Sequence, residues 1–137
     1  MESVLVYGSI SWTVTASLER KLDGAYTRML RAALNKSWED HLTNKELYGE
    51  IPRITSTIRQ QRLRFAGHCW RSKNELAAEV LLWEPSHGKR TRGRPRKTFI
   101  DQLEADTGCT REELKGAMGD REDWSKCVEM SRVSSIG

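Results

Sequence analysis

Cysteine, long apolar runs and, over one long stretch, acid are what this chain of 137 residues has least of. Its three cysteines, Cys69, Cys109 and Cys127, are odd in number and far apart, which argues against a disulfide framework and fits a reducing compartment. The longest apolar stretches, residues 4–7 and 80–83, fall far short of the roughly 20 residues a membrane span requires. No basic lead followed by a long apolar region opens the sequence, so no secretory signal is expected and the chain reads as soluble and intracellular. Nucleophile elbow, phosphate-binding glycine loop and paired carboxylates are all missing, and no catalysis by this chain is expected. Close pairs of metal ligands are missing as well. His68-Cys69 are adjacent, while His87, Cys109 and Cys127 stand alone, so neither metal nor other cofactor is expected.

What the chain does hold is positive charge, unevenly placed. Residues 1–50 carry six bases and seven acids, residues 51–100 twelve and three, and residues 101–137 five and nine. The overall net charge of +4 therefore hides a middle third at +9 between flanks of −1 and −4. A local excess of that size favours a polyanionic partner, DNA or RNA. Its densest part is Lys89-Arg90-Thr91-Arg92-Gly93-Arg94-Pro95-Arg96-Lys97, six bases in nine positions with no acid. Pro95 fixes its own φ and pushes Arg94 toward an extended conformation, and Gly93 has no side chain to obstruct a groove. The run resembles an AT-hook, a narrow cationic strip suited to the phosphate-walled minor groove of a duplex. A solvated charged linker or a nuclear-import signal is the plainer alternative, and import would place the protein in the nucleus.

Hydrophobic spacing elsewhere predicts helices. Leu18, Leu22, Ala25, Tyr26, Met29, Leu30, Ala33 and Leu34 recur every three or four residues, which predicts a helix over 15–36 with Thr13 or Thr15 as its cap. Gly24 within it costs about 1 kcal/mol against alanine, an expense that predicts close packing there. Thr43 to Glu46 has capping-box spacing and starts a short helix that ends at Gly49 and Pro52. Residues 55–71 form the next, with Ile58, Leu63, Phe65, Ala66, Cys69 and Trp70 toward the core. Its bases Arg59, Arg62, Arg64 and Arg71 meet no acid, since residues 51–74 contain none. Arg59, Arg62 and Arg64 are therefore candidates to track a phosphate backbone beside the 89–97 strip. The alternative is that they pair with acids of the C-terminal helices, such as Glu112, Glu113, Glu122 and Asp123.

Residues 75–83 are ambiguous between helix and strand. Thr98 opens a helix closed by Gly108, with Asp101, Glu104 and Asp106 on its solvated face. Thr110 to Glu113 is a second capping box, followed by Leu114, Ala117 and Met118. Asp120 caps a last helix with Trp124, Cys127 and Val128 on one face. Of the five tryptophans, Trp12, Trp38 and Trp124 are expected in the core, with Trp70 and Trp83 as possible base-stacking platforms. The fold class is all-α: two small helical groups joined by a basic, extended Gly/Pro/Arg linker. The division is residues 1–84, whose apolar opening reads as an N-terminal truncation, then 85–97, then an acidic helical segment over 98–137.

Taken in order, a series of short matches covers nearly the whole chain. They are Leu5-Val6-Tyr7-Gly8 with Trp12, Leu22-Asp23, Tyr26-Thr27-Arg28-Met29-Leu30-Arg31, Ser37-Trp38, His41, Thr43-Asn44 and Leu47-Tyr48. Arg62-Leu63-Arg64-Phe65-Ala66-Gly67-His68, Leu82-Trp83-Glu84-Pro85, Gly93-Arg94-Pro95 and Asp120-Arg121-Glu122 with Trp124 complete it. In this series the chain resembles the region downstream of the reverse transcriptase domain in polyproteins of non-LTR, LINE-type retrotransposons. The resemblance implies a thumb- or connection-like segment that helps hold template RNA and target DNA, with the reverse transcriptase domain as a further partner. The chemistry of that family belongs to its polymerase and endonuclease. Here there is no Asp-Asp pair, nothing similar to the endonuclease, and no Cys/His knuckle. Two other readings remain: an independent AT-hook chromatin-associated protein, and a helical interaction module whose basic linker serves nuclear import only.

Overall fold

Short polar side chains open most of the helices. The computed structural model describes residues 2–72, 75–83, 93 and 97–133, the side chains of residues 2, 3, 75, 132 and 133 excepted. After α1 (Glu2–Leu5) and a 3-10 turn at Ser9–Ser11, the Thr15 hydroxyl accepts the Leu18 N–H at 3.4 Å and starts α2 (Ala16–Ala33). Thr43 starts α3 (Asn44–Tyr48): its hydroxyl accepts the Glu46 N–H, and its own N–H donates to Glu46 Oε2 at 2.8 Å. Thr98 and Asp101 repeat the device at α6 (Phe99–Thr107), and Thr110 N–H donates to Glu113 Oε2 at 2.7 Å at α7 (Arg111–Gly119). Asp120 Oδ1 accepts two N–H groups, from Glu122 at 2.7 Å and Asp123 at 3.1 Å, and begins α8 (Arg121–Val133). Each cap satisfies donors that the first helical turn leaves without intrahelical partners. Residues 75–83 resolve as helix, α5 (Glu75–Leu81), and no strand occurs among the described residues.

These caps titrate. The Thr43 hydroxyl, then its N–H, holds Glu46 below its ordinary range; the Thr110 N–H, then its hydroxyl, does the same for Glu113. The amides of Asp123 and Glu122 lower Asp120. A folded pKa below the unfolded one gives stabilisation that is present above the unfolded value and lost as pH falls through the folded value. Acidification is therefore expected to loosen the starts of α3, α7 and α8 ahead of the core. In NMR titrations the amide shifts of Thr43, Thr110, Glu122 and Asp123 should move together with their carboxylates, before the core resonances do. Movement of all amides in a single step would contradict this.

Helix α4 (Ile54–Arg71) is common to two cores. Its N-terminal half packs Ile54 and Ile58 against Tyr26, Leu22 and Leu30 of α2, Tyr48 of α3, and Leu5 and Val6. Arg53 supplies no cap, so the missing acceptor comes from α2: Asp23 takes the Thr55 N–H at 3.3 Å and the Thr55 hydroxyl at 2.9 Å. The Tyr26 and Tyr48 rings lie 6.2 Å apart, and Thr27 shares a 2.8 Å hydrogen bond with the Tyr48 hydroxyl. Arg31 ties α2 to α3 through the Leu42 carbonyl at 2.8 Å and Asn44 Oδ1 at 3.1 Å. The C-terminal half buries Leu63 and Ala66 with Leu81, Ile100, Leu103, Leu114, Met118, Trp124 and Val128. Each large side chain among them contributes roughly 1.5–3 kcal/mol through burial.

The buried face of α4 thus turns along its length, and this displaces one expected core residue. Phe65 lies two turns beyond Ile58 on the face that serves the first core, but past the end of that core, and is 43% exposed. Two further expectations are corrected. A Cβ on Gly24 would meet nothing within 4 Å, so no close packing explains that glycine. Trp124 is buried, but Trp38 is 79% exposed and Trp12 stands at the surface.

Candidate nucleic-acid interface

Of the basic strip, Lys89, Arg90, Arg92, Arg94, Pro95 and Arg96 lie outside the described residues. Gly93 is exposed with φ +153°, a left-handed value that favours glycine, and Lys97 is exposed. The two residues nearest the strip that sit in the core are Leu81, in the last turn of α5, and Ile100, in the first turn of α6.

The arginines of α4 divide. Arg62, expected at the binding surface, is 1% exposed and forms an ion pair with Asp106, which is itself buried. Gln102 Nε2 donates to Asp106 Oδ1 at 3.0 Å. Arg59 Nε lies 3.5 Å from Asp106 Oδ1, and Arg59 Nη2 the same distance from Glu19 of α2. Arg62 is consequently a core residue, turned away from any phosphate, and Asp106 is not on a solvated face. Arg59 is mostly covered by the same network. The acids expected to neutralise this helix are engaged elsewhere: Glu112 with Lys115, Asp123 with Lys126, and Glu113 with Thr110.

Periodicity contained a signal for this pair. Arg62 falls between Ile58 and Ala66 at four-residue steps, and Asp106 follows Leu103 by three. Opposite charges on two apolar stripes are the mark of a buried ion pair, since neither alone would be tolerated there.

Arg64 faces outward. With Arg71, two turns further along α4, it lines a groove of about 310 Å³ whose other wall is α8: Arg121, Ser125, Val128 and Glu129, with Trp124 beneath. The two helices approach closely at Gly67. A Cβ there would run into Cδ1 and Nε1 of Trp124 and reach 3.0 Å from Arg71 Nη1. Without it the indole lies on the α4 backbone and donates from Nε1 to the Leu63 carbonyl at 2.7 Å. Arg71 Nη1 in turn donates to the Met118 carbonyl at 2.8 Å, near the end of α7. Arg121 is the groove residue that sequence reasoning missed, because it stands in an acidic segment. A cation in the first turn of a helix opposes the macrodipole, and that misplacement is the trace it leaves in the sequence.

Burial pushes the thiols of Cys69 and Cys127 above their ordinary range, and all three cysteines are free and half-buried. Among the described residues no group of three or more His, Cys, Asp or Glu side chains is placed to hold a metal ion, and no helix is long and apolar enough to cross a membrane. No family model matches the chain, and no curated protein or solved structure is significantly similar to it.

Proposed function

We propose that this chain is a nucleic-acid-binding, post-polymerase segment of a LINE-type retrotransposon reverse transcriptase polyprotein, without catalysis of its own and acting in the nucleus. The observation that carries the reading is the charge pattern: 24 residues without an acid, then six bases in nine positions, in a chain whose flanks are acidic. Backbone neutralisation by such a run is the main source of sequence-independent affinity.

The test is binding of the full chain to labelled A·T-rich duplex, mixed-sequence duplex and structured RNA over a salt series. All three should bind comparably and weaken steeply with salt. Arg92→Ala, Arg94→Ala and Arg96→Ala combined should flatten the dependence of log K on log salt by about 2–3, at about 0.9 per phosphate contact on B-DNA. A strong preference for A·T-rich duplex would favour a chromatin protein instead. Absence of binding to any of the three at low ionic strength would overturn the proposal.

A further inference from the structure

We infer that the groove between α4 and α8 is a second phosphodiester-binding surface, which grips the nucleic-acid backbone through Arg64, Arg71 and Arg121. The inference rests on the reading above and extends it to residues outside the basic strip.

Three guanidinium groups line this one groove against a single carboxylate, that of Glu129. Among the described residues neither Arg64 nor Arg121 is held in an ion pair, in contrast to Arg59 and Arg62 on the same α4 helix. Arg71 is pre-oriented by its bond to the Met118 carbonyl and retains further N–H donors. Guanidinium presents a planar fork that matches phosphate oxygens two at a time, and Ser125 adds a hydroxyl to the same lining. Arg64 and Arg71 are two helical turns apart, about 10 Å along the axis. That spread suits successive phosphates of a strand better than one small anion. The groove floor is also closely packed, because Gly67 admits the Trp124 ring onto α4 and the indole bonds to the Leu63 carbonyl.

The experiment measures salt-dependent binding of the full chain to a labelled mixed-sequence duplex for two double variants of equal charge change. Arg64→Ala with Arg121→Ala removes groove cations. Arg20→Ala with Arg28→Ala removes two exposed arginines of α2 whose Nε groups only contact their own helix backbone. Thermal melts establish that both variants fold. The groove variant should reduce the slope of log K against log salt by nearly 2, and the α2 variant by well under 1. Glu129→Gln should raise affinity at least about twofold, while Glu39→Gln outside the groove should not. Inorganic phosphate at constant ionic strength should not displace the duplex.

Equal slopes for the two double variants, with wild-type binding intact, would overturn the groove and leave the general reading standing. Displacement by inorganic phosphate would overturn the assignment to a polymer. A wild-type chain that binds no duplex at all would remove both the groove and the reading on which it rests.

Discussion

Asp106→Ala is expected to lower folding stability by about 3–5 kcal/mol, because it leaves the Arg62 guanidinium charged and buried with its partner gone. Against a total stability of roughly 5–15 kcal/mol, a loss of that size takes the chain close to unfolding at moderate temperature. Asp106→Asn should cost nearly as much, since an amide retains the shape but not the charge. Within the described residues Arg62 Nε and Gln102 Oε1 have no hydrogen-bond partner, so the network is only partly satisfied. Replacing both charges with apolar side chains, Arg62→Met with Asp106→Leu, should recover most of the loss. A double-mutant cycle by chemical denaturation measures both. If Asp106→Ala alone costs less than about 1 kcal/mol, the pair is not desolvated as described.

Gly67→Ala should also destabilise, against the usual sign of that exchange in a helix. Alanine gains about 1 kcal/mol over glycine in helix propensity. Here its Cβ would occupy space filled by the Trp124 ring, and the indole would have to withdraw. Overpacking costs about 1–3 kcal/mol, and losing the Nε1 bond to the Leu63 carbonyl leaves a buried donor worth another 1–3 kcal/mol. The net loss is about 1–5 kcal/mol, or roughly 4–17 °C in melting temperature for a chain this size. Trp124→Leu in the alanine background should restore part of it by vacating the space. A rise in melting temperature for Gly67→Ala would mean that α8 does not lie against α4 as described.

These two sites mark where sequence reasoning reached and where it stopped. Helix starts were legible because a threonine or aspartate and the amide it binds lie within three residues, so Thr15, Thr43, Thr98, Thr110 and Asp120 announced their helices locally. The all-α class follows from the three- and four-residue hydrophobic spacing between those caps. Partners across the chain were not legible in this way. Arg62 and Asp106 are 44 residues apart, and Leu63 and Trp124 are 61 apart. Charge alone places Arg62 at the surface despite its position on an apolar stripe, and a single buried face for the whole of α4 places Phe65 in the core. The turning of that face between two cores depends on which helices pack at each end, and no local pattern encodes it. Arg64 was identified from its charge alone, whereas Arg121 needed the fold to bring it across from α8.

Because Leu81 and Ile100 are seated in one hydrophobic cluster, with Leu82 and Phe99 packed on it, burial holds the last three helices against α4. The chain between Leu82 and Phe99 joins two points already fixed on that core. Doubling the length of such a connection costs only about 0.6 kcal/mol in closure entropy. Changing the length of that connection should therefore cost little in folding stability.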